Sequence, residues 1–134
     1  MPDDRAFFDT NILVYAFSED DSRREKARSL LMTGGTVGVQ TLNEFVNTQR
    51  GKAKLPWPDI SIRLRLISEL CLPPIALTQR VHMLGLEIAQ STGYHIYDSL
   101  MLAAAMEADC TVFYSEDLQD GQTIEGLTIR NPFV

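Results

Sequence analysis

The sequence predicts an α/β protein, an α/β/α sandwich formed as a single domain over residues 1–134 around a mostly parallel central sheet. Two observations predict it. Short apolar, strand-like runs alternate with longer segments of helical period from end to end. In one sheet that order demands crossover helices, and hence parallel pairing with helices on both faces. The totals agree: 134 residues, 45% hydrophobic and 22% charged, describe a globular chain large enough to bury a real core. No repeat, linker or low-complexity segment interrupts it.

Arg5-Ala-Phe-Phe-Asp9 reads as the first strand, buried and ending at an acid. A helix follows from Thr10 or Asn11 through Ile12–Phe17 and stops in the polar run Ser18–Asp21. Ser22-Arg-Arg-Glu25 has capping-box spacing. It opens a helix through Ala27, Leu30 and Leu31 that ends at Gly34-Gly35. Thr36–Val39 is a short second strand. Thr41-Leu-Asn-Glu44 starts the next helix, with Leu42, Phe45 and Val46 on one face and an end near Gly51.

A proline-marked loop, Lys52–Pro58, precedes a helix over Ile60–Leu70. Pro73–Leu77 reads as a strand whose prolines suit its beginning or a sheet edge. Thr78 caps a helix carrying Val81, Leu84 and Ile88 that ends at Gly93. Asp98 begins a helix through Met106 that is apolar nearly all round, which predicts burial in the core. Cys110–Tyr114 is the next strand, Gly121 and Gly126 mark turns, and Leu127–Arg130 is a last short strand.

The charge and cysteine content narrow the chemistry. A net charge of −6 argues against a general polyanion binder, since such affinity comes from Lys and Arg neutralising phosphates. An acidic protein still acts on nucleic acid where bound cations reverse the local sign. Cys71 and Cys110 stand far apart in no metal spacing. With no signal peptide visible, they are expected reduced, buried and cytoplasmic. No apolar run approaches membrane-spanning length.

Residues at the C-terminal ends of strands and the adjoining helix starts converge on one edge of such a sheet. Four acids have that placement: Asp9, Glu44, Asp98 and Asp117. Carboxylates gathered there raise one another's pKa. Hard oxygen ligands of this kind select Mg²⁺ or Mn²⁺, and such ions activate water and clamp an in-line phosphoryl displacement. Three of the four also have structural roles open to them. Glu44 completes a Thr41-x-x-Glu44 capping box, Asp98 suits a helix start, and Asp117 sits in an acidic turn with Glu116 and Asp120. Asp9 differs, because an acid between Phe7-Phe8 and Ile12-Leu13-Val14 is expected to be partly buried, and burying a charge is costly unless it is compensated.

Four segments together resemble the signature segments of PIN-domain ribonucleases, and more narrowly the VapC-type toxins of bacterial toxin–antitoxin pairs. They are Phe8–Tyr15, Leu42–Phe45, Tyr97–Ala105 and Tyr114–Gln122, in the family's order and across almost the whole chain. The resemblance implies a Mg²⁺- or Mn²⁺-dependent endoribonuclease with Asp9, Glu44, Asp98 and Asp117 as catalytic, metal-site acids. It implies that Thr10, Asn11 and Ser115 support the site by hydrogen bonding, and it favours Asp117 over Glu116 and Asp120. It further implies a homodimer held inactive by a cognate antitoxin.

Contacts to RNA outside the pocket are sought in Arg50, Lys52, Lys54 and Trp57, a basic stretch ending in an aromatic that can stack on a base. Arg23, Arg24, Lys26 and Arg28 form a second cluster open to RNA, antitoxin or solvent. His95 and His82 are read as ordinary polar histidines. Two alternatives compete: a haloacid-dehalogenase-like phosphatase, which wants an acid where Asn11 stands, and a non-catalytic module that uses the acidic pocket to bind a partner.

Overall fold

The computed structural model describes residues 5–19 and 21–134. Asp20, part of the expected polar break, lies outside them. The chain runs β1 (Ala6–Phe8), α1 (Thr10–Ala16), α2 (Arg24–Thr33), α3 (Val39–Gly51), α4 (Trp57–Leu70), α5 (Gln79–Thr92), α6 (Ile96–Glu107), β2 (Val112–Tyr114), β3 (Thr123–Ile124) and β4 (Leu127–Arg130). Among the described residues the sheet order is β1-β2-β4-β3, with β1–β2 and β2–β4 parallel and β3–β4 antiparallel.

The period-two side-chain alternation of a strand builds the two faces. Phe7 pairs with Phe113 and stacks on it at 5.5 Å, on the face covered by α5 and α6. Phe8 pairs with Tyr114 at 6.2 Å on the opposite face, where Ile12, Leu13, Ala27, Phe45 and Ile67 bring in α1 to α4. The expected α/β/α sandwich is therefore present. Helix α6 is the buried helix that its composition predicts, with every residue from Ser99 to Ala105 buried.

Several local expectations are corrected. Thr36–Val39 and Pro73–Leu77 do not form full strands. Thr36–Val39 meets β1 through one parallel bridge, Thr36 to Phe7, and Pro73–Leu77 adds to that segment, not to β1, through a second, Ile75 to Gly38. Helix α2 starts at Arg24, not through Ser22. The Asp21 side chain accepts from Arg23 N–H at 2.8 Å and its carbonyl from Arg24 N–H, so a turn at Asp21 pre-empts the capping box. Helix α4 starts at Trp57, three residues before Ile60, with Pro56 as its extended N-cap. Cys71 is half-buried rather than buried, and neither it nor Cys110 is in a disulfide.

Helix α3 carries the correction that matters most to the site. It begins at Val39, so Thr41 lies inside the first turn, and its hydroxyl accepts from the Gly38 N–H at 3.1 Å. Glu44 then lies in the second turn, beyond reach of the helix start. The β3–β4 hairpin is the element the sequence reading missed. Its two-residue turn, Glu125-Gly126, has φ of +45° and +87°, as a type I′ turn requires.

Candidate active site

Asp9 follows β1 directly, and its N–H donates to the Tyr114 carbonyl at 2.9 Å, so the sheet fixes its backbone. It is the N-cap of α1, with extended backbone, and its Oδ1 accepts from Thr10 N–H at 2.6 Å. Ser115, fully buried just past β2, donates its hydroxyl to Asp9 Oδ2 at 2.6 Å. The same hydroxyl oxygen accepts from the Asp117 and Leu118 N–H groups at 3.1 and 3.4 Å. One serine thus joins the Asp9 carboxylate to the loop that carries Asp117.

Asn11 makes a second tie. Its Nδ2 donates to Asp117 Oδ2 at 3.1 Å and to Asp9 Oδ2 at 3.4 Å, while its Oδ1 accepts from Glu116 N–H. The amide thus bridges two carboxylates that would otherwise face each other. A carboxylate at position 11 would have no proton to offer either one. The Thr10 hydroxyl donates to Met101 Sδ at 3.6 Å, which ties the start of α1 to buried α6.

These groups open onto one cleft of about 390 Å³. Asp9, Thr10 and Asn11 line it from the β1–α1 junction, Glu44 from α3, Asp98 from the first turn of α6, and Asp117 from the loop after β2. The structure therefore brings all four predicted acids to one place. Asp98 is not the first residue of its helix. His95 is the N-cap, its Nδ1 accepting from Tyr97 N–H at 3.1 Å, so His95 serves the capping role and Asp98 is not needed for it.

The electrostatics follow from this crowding. Burial pushes Asp9 up to about 7, opposed by the Ser115 and Thr10 hydrogen bonds and reinforced by the charges of Asp98 and Asp117. Burial also raises Asp98, with Asp117 adding to the effect and His95 opposing it. Glu44 is raised by burial, lowered in part by the Gln40 amide that donates to it at 3.2 Å, and raised by Asp98. Asp9 is only 3% exposed and has no cationic partner among the ion pairs of the described residues. Its negative charge is thus not balanced by protein groups.

The competing acids separate. Glu116 lines the cleft wall but is occupied by the Tyr15 hydroxyl and by Arg23 Nε at 2.9 Å. Asp120 accepts from Asn131 N–H at 2.8 Å and does not line the cleft. Tyr15 and Thr48 line the cleft as well, and the sequence reading assigned neither a role. The available signal was spacing, since Thr48 lies one turn beyond Glu44 on the same helix face.

The basic stretch divides in two. Lys52 lines the cleft. Arg50 instead stacks its guanidinium on Trp57, 4.4 Å from the ring centroid, and donates to the Leu55 carbonyl at 3.1 Å. Neither Arg50, Lys54 nor Trp57 lines the cleft. In the second cluster, Arg23 is paired with Glu116 and Asp21, Arg24 with Glu25, and Arg28 donates to the Ala16 carbonyl.

As the side chains stand, no three of the described acidic, His or Cys residues close on one point that would hold a metal ion. The donor set still fits a small hard cation. It is all carboxylate oxygen, its charge is uncompensated, and Mg²⁺ keeps several waters while bound through only one or two carboxylates. Asp9 retains acceptor capacity beyond its two short hydrogen bonds.

Comparison with known proteins gives the same fold. A family model described as PIN domain matches residues 6–119. A toxin–antitoxin complex from Klebsiella pneumoniae contains a chain with 22% identity and a TM-score of 0.70, covering 95% of this chain and 97% of that one. Mycobacterium tuberculosis VapC20, described as a sarcin–ricin-loop-cleaving toxin, aligns at 13% identity with a TM-score of 0.68, covering 84% and 91%. FitAcB from Neisseria gonorrhoeae aligns at 17% identity with a TM-score of 0.66, covering 96% and 98%. At these identities the likeness to the solved structures is one of fold. No curated protein sequence matches the chain.

Proposed function

The chain belongs to the PIN domain family, and from that premise we propose that it is a divalent-metal-dependent endoribonuclease, the toxin of a toxin–antitoxin pair. One observation carries the reading. A nearly fully buried carboxylate, Asp9, is held by a buried serine and a backbone N–H in a cleft shared with Glu44, Asp98 and Asp117, with its charge uncompensated. Such an arrangement costs stability, and a cation-dependent reaction at the site is what explains its presence.

In this reading Asp9 and Asp98 would hold Mg²⁺ or Mn²⁺, and Glu44 and Asp117 would hold a second ion or orient a water. The bound metal supplies water activation and neutralisation of charge on the phosphate. The protein supplies geometry. Ser115 and the Thr10 N–H fix the Asp9 carboxylate, and the Asn11 amide, donating to both, holds Asp117 beside it against their mutual repulsion. The raised pKa values of Asp9, Asp98 and Glu44 mean that cation binding competes with protons, so activity rises with pH as these groups ionise.

The toxin assignment draws on the toxins and toxin–antitoxin complexes whose fold the chain shares. The antitoxin partner draws on those complexes, and the resemblance of the four sequence segments to VapC-type toxins supports the proposal that it acts in the cytoplasm as a homodimer silenced by a cognate antitoxin. Among the described residues no helix is long and apolar enough to cross a membrane.

The test is cleavage of a labelled RNA by purified, antitoxin-free protein, with Mg²⁺, Mn²⁺ or EDTA. Cleavage that needs the metal and disappears in Asp9→Asn with the fold retained supports the reading. Metal-independent cleavage, or none under any condition, sinks it.

A further inference from the structure

Helix α3 and its C-cap present a single stripe to the cleft: Glu44, Thr48 and the C-cap Lys52, whose backbone is still helical, spaced i, i+4, i+8. Along the helix axis the stripe covers about 12 Å. It therefore runs from the acid cluster at its Glu44 end out to the rim, changing from carboxylate to hydroxyl to ammonium. The cleft is otherwise strongly acidic. Asp9, Glu44, Asp98, Glu116 and Asp117 line it, and among the described residues Lys52 is the one Lys or Arg that does.

The Lys52 ammonium makes none of the ion pairs or side-chain hydrogen bonds found among the described residues. The other basic groups nearby are spent, Arg23 on Glu116 and Arg50 on Trp57 and Leu55. An exposed ammonium that lines an acidic cleft without pairing is free to meet an incoming anion. Thr48 stands one turn below it, with a hydroxyl able to donate to the same strand.

We propose that Lys52, with Thr48 beneath it, binds a backbone phosphate of a single-stranded substrate adjacent to the scissile one and so sets the strand's register in the cleft. This deepens the nuclease reading and rests on it. The distance along α3 separates the two tasks: the acid end handles the reacting phosphate, and the ammonium end holds a neighbour. Lys52 is also the residue just past the helix, where a cation favours the helix dipole, so the test must distinguish contact with substrate from a purely structural effect.

Binding of a fluorescent single-stranded RNA, measured by anisotropy in EDTA from about 50 to 200 mM salt, separates them. Wild type, Lys52→Gln, Lys52→Arg and Arg50→Gln are compared. Losing one phosphate contact lowers the slope of log affinity against log salt by about 0.7, so Lys52→Gln loses about threefold less affinity than wild type over that range. Lys52→Arg restores the slope, and Arg50→Gln leaves it unchanged. In cleavage assays Lys52→Gln raises KM more than it lowers kcat.

An unchanged slope in Lys52→Gln, with or without a drop in Tm, overturns the assignment while leaving the nuclease reading intact. If wild type cleaves RNA in Mg²⁺ and Lys52→Gln does so with unaltered KM, the assignment also fails. If wild type neither binds nor cleaves RNA, both fall together.

Discussion

The Ser115 hydroxyl donates to Asp9 Oδ2 at 2.6 Å from a position with no solvent exposure, while accepting from two backbone N–H groups of its own loop. Removing it leaves both the acid and those donors short of a partner. Ser115→Ala is expected to cost about 1–3 kcal/mol of stability, read from urea unfolding. The Ser115 hydrogen bond also holds Asp9 down, so its loss raises the Asp9 pKa further. Half-maximal activity then shifts to higher pH and higher Mg²⁺. A variant with wild-type pH and metal dependence would show that the hydrogen bond serves the fold alone.

Asp9 itself links stability to pH. Its pKa rises from 3.8 to about 7 on folding, mainly through burial. Between those values the folded state binds more protons than the unfolded one. The protonated form's contribution is present in full below about pH 4 and is lost as pH rises through about 7. In metal-free buffer at pH 8, Asp9→Asn should therefore melt above wild type, and the gap should close towards pH 4. Mg²⁺ added at pH 8 should raise the Tm of wild type and not that of Asp9→Asn. Equal Mg²⁺ shifts in both proteins would remove Asp9 from the metal site.

Thr41 and Glu44 are separable now that α3 is known to start at Val39. The Thr41 hydroxyl is fully buried and accepts from Gly38 N–H, so Thr41→Ala should cost about 1–2 kcal/mol and leave cleavage largely intact. Glu44→Gln keeps the shape and loses the charge. It should change stability by less than about 1 kcal/mol and cut the cleavage rate by at least about 100-fold. Retained cleavage in Glu44→Gln would reduce the site to three acids.

Gly85 reports on the support beneath Asp98. A Cβ there would lie 2.7 Å from Leu100 Cδ2 and 3.3 Å from its Cα, so α5 and α6 can approach this closely only with glycine. Gly85→Ala should destabilise by about 1–3 kcal/mol despite alanine's better helix propensity. Leu100 lies two residues after Asp98, so the shift should also weaken Mg²⁺-dependent activity at temperatures where the protein remains folded. Wild-type stability would mean that the Leu100 side chain simply moves aside.

Much of this protein is determined by local sequence. Phe7-Phe8-Asp9 dictates a strand with both faces buried and an acid at its end. Thr78 and Gly93 bound α5, with the Thr78 hydroxyl accepting from Val81 N–H and Gly93 at φ of +81°. The apolar run Ser99–Ala105 dictates a buried helix. These signals are local because burial period, capping and positive φ act within a few residues. The four acids were legible as candidates through their positions after strands and at helix starts.

Tertiary structure decided what no local signal carries. Thr36–Val39 and Pro73–Leu77 have strand-like composition, yet they pair only through the isolated bridges Thr36–Phe7 and Gly38–Ile75, with α3 taking the chain from Val39 onwards. Helix α3 starts at Val39, directly after the Gly38–Ile75 bridge, which places Glu44 in the second turn instead of the first. Whether Glu116, Asp117 or Asp120 faces the cleft depended on Arg23, Tyr15, Asn11 and Asn131, most of them about a hundred residues away in sequence. The split between Lys52 and Arg50, two residues apart, came from a helix turning one towards the acids and the other onto Trp57. A side chain's partner is a long-range fact, because hydrogen bonds and charges act through space and the chain brings distant residues together only on folding.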